Sequence, residues 1–366
     1  MDQRKRLFAA VGGAVALFLA VQVGALALVR PFEAAGYQTV KNPQDPTNSL
    51  LYVGVLLVMT AAMLAVIKLG RERVLRYFIV GTGGLISWYV LSVLVPTPAA
   101  LAGAGVVVVA LLVHPEWYVI DTAGVLMGMG AAALFGISFG VLPAIILLSV
   151  LAVYDAISVY RTEHMLTLAE GVMDLKVPVL FVVPTTRGYS FLEQVEEREE
   201  TKEALDAALP EDVDPEDIES VEELEEYVDL DELPDDVEAT IEAAESTESS
   251  EGGESGDDEG VSEERPGALD RDAIFIGLGD AVMPTIMAAS AAFFLDAPTA
   301  FGVEIPVLLS VVGTQLGLLA LLRMVLRGEP HAGLPLLNGG AIGGYLLGAL
   351  LSGYSLVTAL GLGGYV

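Results

Sequence analysis

The chain contains no cysteine, three histidines (His114, His164, His331), two tryptophans, and five lysines against thirteen arginines. Without cysteine, disulfides and thiolate metal sites are excluded. The histidines are scattered and offer no cluster for a catalytic metal. Charge is scarce outside one segment: of 49 Asp and Glu, 34 lie in 191–270 beside three bases, and the rest of the chain balances at fifteen acids and fifteen bases. The net charge of −31 is therefore a local property, and that segment repels nucleic acid. What the chain has in quantity is apolar length. It is 54% hydrophobic, with mean hydropathy +0.60 and 39 glycines in 366 residues, the composition of a polytopic, all-α membrane protein.

A membrane helix needs roughly 20 apolar residues at 1.5 Å rise each. Nine candidates follow one another: Leu7–Val29, Ser49–Ile67, Tyr77–Val95, Ala99–Val113, Trp117–Ile137, Phe139–Tyr160, Ala273–Leu295, Phe301–Leu326 and about Leu337–Leu360. The first follows a basic head (Arg4, Lys5, Arg6). It is too long for a signal-peptide core and lacks a clear small-residue cleavage site, so it reads as a retained span. With that head inside, Lys68, Arg71, Arg73, Arg76, Arg161, Arg323 and Arg327 all fall on the cytoplasmic side, and only Arg30 and Lys41 fall outside. The bias predicts a multi-pass protein of the cell membrane, with the N-terminus inside and the C-terminus outside.

Three regions follow: 1–189 with spans one to six, an acidic cytoplasmic loop at 190–271, and 272–366 with spans seven to nine. At the end of the first, residues 177–183 (Val-Pro-Val-Leu-Phe-Val-Val) are apolar and β-branched, too short to span, and read as a strand. In the loop, Glu193–Leu209 and Pro215–Leu230 suit short helices, while Glu245–Gly260 reads as disordered. Few lysines and an acidic loop fit a high-salt organism and an ordinary acidic tether equally well.

Two acids stand inside apolar runs: Asp155, preceded by Tyr154 on span six, and Asp280, preceded by Gly277-Leu278-Gly279 on span seven. A charge near a bilayer centre costs on the order of 3 kcal/mol. Such residues need a polar partner or a water-filled cavity. Two carboxyls that meet cannot both ionise cheaply and hold one proton between them, so that one acts as base on a water while the other polarises a carbonyl. The same pair serves as a structural hydrogen-bonding pair, or as an ion-coupling site in a transporter. Glycines 277 and 279 remove side chains beside Asp280 and allow close approach. Before the last span, Pro335-Leu336-Leu337 is a Pro-containing turn with free backbone groups, or simply a helix start. Asp121, near the start of span five, reads as an interfacial acid with a structural role, since acids near span ends can stay hydrated, and Gln315 reads as interhelical glue.

Tyr154-Asp155, Gly277-Leu278-Gly279-Asp280 and Pro335-Leu336-Leu337, in this order and with a long loop between the acids, resemble the presenilin and signal peptide peptidase family. These are the intramembrane aspartyl proteases marked by YD, GxGD and PAL. The likeness covers nearly the whole chain and implies kinship with archaeal presenilin homologues, and the strand-like 177–184 is similar to the segment after span six in signal peptide peptidases. Leu336 stands where the family has Ala. The resemblance implies nine transmembrane helices in a presenilin-like fold and hydrolysis of peptide bonds within transmembrane segments, with no cofactor, no metal and no obligatory subunit. Asp155 and Asp280 would be the catalytic pair. Tyr154, Gly277, Leu278, Gly279, Pro335, Leu336 and Leu337 would shape the site and hold a transmembrane peptide in the lipid bilayer. An unwound substrate could add as a strand to Val177–Val183 or to the backbone near Leu336. The rival readings are a proton- or cation-coupled transporter, which usually carries an inverted repeat not seen here, and a membrane anchor whose acidic loop recruits a basic partner.

Overall fold

The structure, a computed structural model, describes residues 3–161, 179–186, 188–196, 273–326 and 332–363. The chain divides into two units, Met1–Tyr189 with Asp272–Val366, and Ser190–Arg271. The second is described only over 190–196. The loop helices expected at Glu193–Leu209 and Pro215–Leu230 therefore lie largely outside the described residues, as do Val177 and Pro178 of the strand-like segment.

Among the described residues, the first unit holds nine helices of 17 residues or more: α1 Gln3–Ala34, α2 Thr47–Lys68, α3 Glu72–Leu94, α4 Thr97–Val113, α5 Trp117–Ser138, α6 Val141–Arg161, α7 Leu278–Phe294, α8 Ile305–Val325 and α9 Gly333–Leu351, followed by the short α10 Leu356–Ala359. Seven are long and apolar enough to cross a membrane, while α4 and α7 are shorter apolar helices. Seventeen residues rise only about 25 Å, less than the roughly 30 Å of a bilayer core. For α7 the reason is that its apolar run begins as a strand.

That is the main departure from the sequence pattern. Ala273–Gly277, expected as the start of span seven, is a strand (β2) pairing antiparallel with β1, Leu180–Pro184, in the register Leu180 with Gly277 through Pro184 with Ala273. The ladder runs one step further, since Leu278 donates its N–H to the Val179 carbonyl at 2.8 Å. Isoleucines and a phenylalanine favour the strand. Pairing satisfies their backbone groups while alternate side chains, Phe181 and Val183 on β1 and Ile274 and Ile276 on β2, enter a cluster with Ala10, Ala14 and Phe18 of α1 and Leu318 of α8. Span eight is also shorter than its apolar run. Thr299–Ala300 (β3) and Val303–Glu304 (β4) form a hairpin turned by Phe301 and Gly302, both at positive φ, and α8 starts only at Ile305. The last span begins earlier than expected, at Gly333. Pro335 and Leu336 thus lie in its first turn and Leu337 just after it, not in an extended segment before it, consistent with the tolerance of proline where N–H groups are unpaired anyway.

A larger cluster, including Phe32 on α1, Ile137 on α5, Leu148 on α6, Ile286 on α7 and Tyr345 on α9, fills the rest of the core. Helices α5 and α6 join through Phe139 and Gly140, where Gly140 donates to the Pro43 carbonyl and the Ser290 hydroxyl donates to that of Phe139. Gln315 on α8 donates to Gln22 on α1 at 2.8 Å, the interhelical contact expected of it. Helices α8 and α9 pack backbone to backbone. A Cβ at Gly313 would overlap the Gly340 carbonyl, and one at Gly344 that of Leu309. Gly313 meets Gly340 and Gly344, while Gly317 lies against the backbone of Leu336 and Leu337 and Gly348 against Ile305 and Pro306, so glycines at every fourth position on both helices let the backbones approach. Gly313→Val is expected to destabilise the protein by about 1–3 kcal/mol through overpacking, read as a lower Tm in detergent. Gly343→Ala meets nothing within 4 Å and should leave Tm unchanged or raise it.

Candidate active site

Helix α7 starts where the strand ladder stops. Gly277 caps it with φ −57 and ψ 131, dihedrals open to any residue, so glycine is not required there for backbone freedom. Space is the reason. A Cβ on Gly277 would lie 3.2 Å from Asp280 Oδ2, because Asp280, the third helical residue, folds its carboxyl back over the helix start. Acids favour this position, where the helix dipole is positive and N–H groups are unpaired.

The first residues of α9 reach both acids. A Cβ on Gly333 would lie 3.5 Å from Asp280 Oδ2. The next residue, Leu334, donates its N–H to Asp155 Oδ2 at 3.0 Å, giving one of the orphan donors of that helix end a partner. Asp155 belongs to the far half of α6 and interacts electrostatically with Asp280. Both acids are half-buried. Among the described residues the only salt bridge is Arg30–Glu33, so no Lys or Arg neutralises either acid. The structure thus brings Asp155 and Asp280 together with the start of α9.

The other expected site residues divide. Gly277 touches Asp280, while Leu278 anchors the helix start, its Cδ1 3.2 Å from where a Cβ on Gly128 of α5 would be. Gly279 is exposed, with nothing within 4 Å of a Cβ there, which leaves an open side next to Asp280. Pro335 lines an open groove of about 260 Å³ between α6 and α9 with Ser149, Ala152, Val153, Ala156 and Gly339. Leu336 is half-buried against the sheet-side cluster, so its extra bulk over alanine is taken up by packing, and Leu337 is fully buried in that cluster. Tyr154 stands apart: it is 48% exposed and forms no hydrogen bond among the described residues.

The sequence does not show the partners of two polar residues. Asn338, fully buried, donates to the Leu148 carbonyl at 3.0 Å and clamps α9 to α6. An amide within an apolar span was its only signal. Asp121 has the structural role expected of it, but buried and not hydrated at the interface. It is 7% exposed, and its Oδ1 accepts the Val182 N–H of β1 at 2.8 Å. That contact and the β2 ladder occupy both edges of β1, so a substrate strand adding to residues 180–184 would have to displace one of them.

Residues 15–354 match a family model described as signal-peptide peptidase, presenilin aspartyl protease. Two solved structures of a presenilin family intramembrane aspartate protease are similar over nearly full length. One has 30% identity and TM-score 0.57 and covers 93% of this chain and 99% of its own. The other has 31% identity and TM-score 0.54 and covers 93% and 97%. No curated protein matches. The apolar helices, the family match and these likenesses agree, and the chain belongs to the signal-peptide peptidase and presenilin family of aspartyl proteases, multi-pass proteins of the membrane.

Proposed function

We propose that this protease hydrolyses peptide bonds within membrane-spanning segments by means of Asp155 and Asp280. The observation that carries the reading is the contact of consecutive α9 residues with both acids: Gly333 against Asp280 and the Leu334 N–H on Asp155. One carboxylate takes a proton from water as it attacks the scissile carbonyl. The other, protonated, donates to the carbonyl oxygen; as the C–N bond breaks, the proton taken from water passes to the leaving amine and a hydroxyl of the intermediate returns its proton to the second carboxylate. The Leu334 N–H fixes which Asp155 oxygen is occupied and turns the other toward the reaction.

A spanning substrate helix has its backbone groups bonded internally and must unwind to present a peptide bond. The groove beside Pro335 gives an apolar approach along α6 to Asp155, and the bare face of Gly279 gives the unwound segment room at Asp280. The basic-residue bias supports an orientation with the N-terminus and the 190–271 loop inside and the C-terminus outside, which sets the acids on the cytoplasmic side of the bilayer's middle.

The test is made in liposomes holding purified protein, a membrane-spanning reporter peptide and an internal pH dye. The expected result is cleavage of the reporter without proton flux. Proton flux without cleavage would overturn the reading in favour of ion coupling by the same two acids.

A further inference from the structure

We propose that Asp121 is a positioning residue for Asp280, its carboxylate on α5 holding the outer edge of β1 and so setting where the β2–α7 junction presents that acid. The inference rests on the reading of Asp155 and Asp280 as the catalytic pair.

The ladder itself shows why this edge needs an acceptor. In an antiparallel pair, hydrogen-bonded and non-bonded positions alternate. Leu278 bonds Val179, so Phe181 with Ile276 and Val183 with Ile274 are the bonded pairs, while Val182 faces Phe275 without bonding. The Val182 N–H therefore points away from β2, at a position 1% exposed. An edge amide buried in a helix bundle needs a partner, and Asp121 Oδ1 at 2.8 Å is that partner.

Asp121 is one end of a track on α5. Residues 121, 124 and 128 share a helix face, and each meets the next part of the path to Asp280. Asp121 holds the Val182 amide. Gly124 lets the Phe181 ring approach, its Cε1 3.0 Å from where a Cβ would stand, and Gly128 does the same for Leu278 at 3.2 Å. Leu278 is bonded to Val179 and lies two residues before Asp280. Sheet and helix start are thus seated on α5 as one piece. Releasing the Asp121 end lets β1 shift along α5, and β2 and Asp280 move with it.

The experiment compares reporter cleavage by Asp121→Asn, Asp121→Ala, Asp280→Asn and wild type, with Tm and hydrogen–deuterium exchange measured on each. Asparagine keeps an acceptor at the same reach, so Asp121→Asn should stay within about fivefold of the wild-type kcat. Asp121→Ala should lose about ten- to a hundredfold in kcat, the scale of a displaced catalytic group. Its KM should stay within about twofold, with faster exchange at 180–184 and 273–279. Wild-type kcat in Asp121→Ala, a loss confined to KM, or equal loss in Asp121→Asn would each overturn the inference. Should Asp121→Ala fail to fold, Val182→Pro decides. It deletes the same N–H outside the ladder, at an edge where proline is tolerated, and full activity there overturns the inference. Full activity in Asp280→Asn, by contrast, overturns the dyad itself. A dead Asp280→Asn beside a fully active Asp121→Ala sinks only the positioning role.

Discussion

Asp155→Asn and Asp280→Asn are each expected to lower kcat for a membrane-spanning reporter by about a thousandfold or more, leaving KM within about twofold. General acid and base steps each contribute typically about 10²–10⁴-fold, and here one shared proton serves both. Replacing either acid removes one proton carrier and leaves the other without the partner that sets its role. The two should therefore behave as a unit, with the double variant no worse than either single one. Folding should survive. No basic residue pairs with either acid among the described residues, so the substitution strands no opposite charge. The asparagine at 155 can still accept the Leu334 N–H that Asp155 accepts at 3.0 Å. Steady-state kinetics with Tm measured in parallel checks this. Multiplying losses in the double variant would mean two independent sites in place of a dyad.

Gly277→Val should cost about a hundredfold or more in kcat by a different route. A Cβ there already falls 3.2 Å from Asp280 Oδ2 and 3.5 Å from its Cγ. Two further methyl carbons compete for the space the carboxyl occupies. Since φ −57 and ψ 131 suit valine, the backbone keeps its course, and the effect falls on the position of the acid. Displacement of a reacting group by about 1 Å is worth on the order of 10²-fold. Gly277→Ala should lie between, as its single carbon asks the carboxyl to give by a few tenths of an ångström. Gly279→Ala is the contrast. Its Cβ meets no protein atom within 4 Å, so Tm should hold or rise, and any change in KM there reads contact with the substrate. A Gly277→Val enzyme with wild-type kcat and unchanged Tm would mean that Asp280 does not work from the position described.

The features legible from sequence were those carried by local composition. Apolar length marks the helices, and an acid inside an apolar run marks Asp155 and Asp280, because charge in lipid is costly whatever surrounds it. What escaped depends on partners distant in the chain. Ala273–Gly277 is apolar and continuous with α7, and a buried strand cannot be told from a buried helix by periodicity alone. Only its pairing with Leu180–Pro184 decides it. Asp121 looks like any acid near a span end until the Val182 amide, 61 residues on, is brought to it. Pro335 reads equally as a turn or as a first helical turn, and contact of the two preceding residues with Asp155 and Asp280 arises only when α9 packs beside α6 and α7. Expectation and structure differ at the very junctions that aim the acids.

Water-driven cleavage inside a membrane-spanning segment by the Asp155–Asp280 pair is read by mass spectrometry of the reporter after incubation with purified protein in ¹⁸O-labelled water. The expected products are two fragments meeting within the apolar segment, with one heavy oxygen in the new carboxyl terminus, and no such fragments from Asp155→Asn or Asp280→Asn. The same fragments from either variant, or cuts confined to the polar flanks, would contradict it.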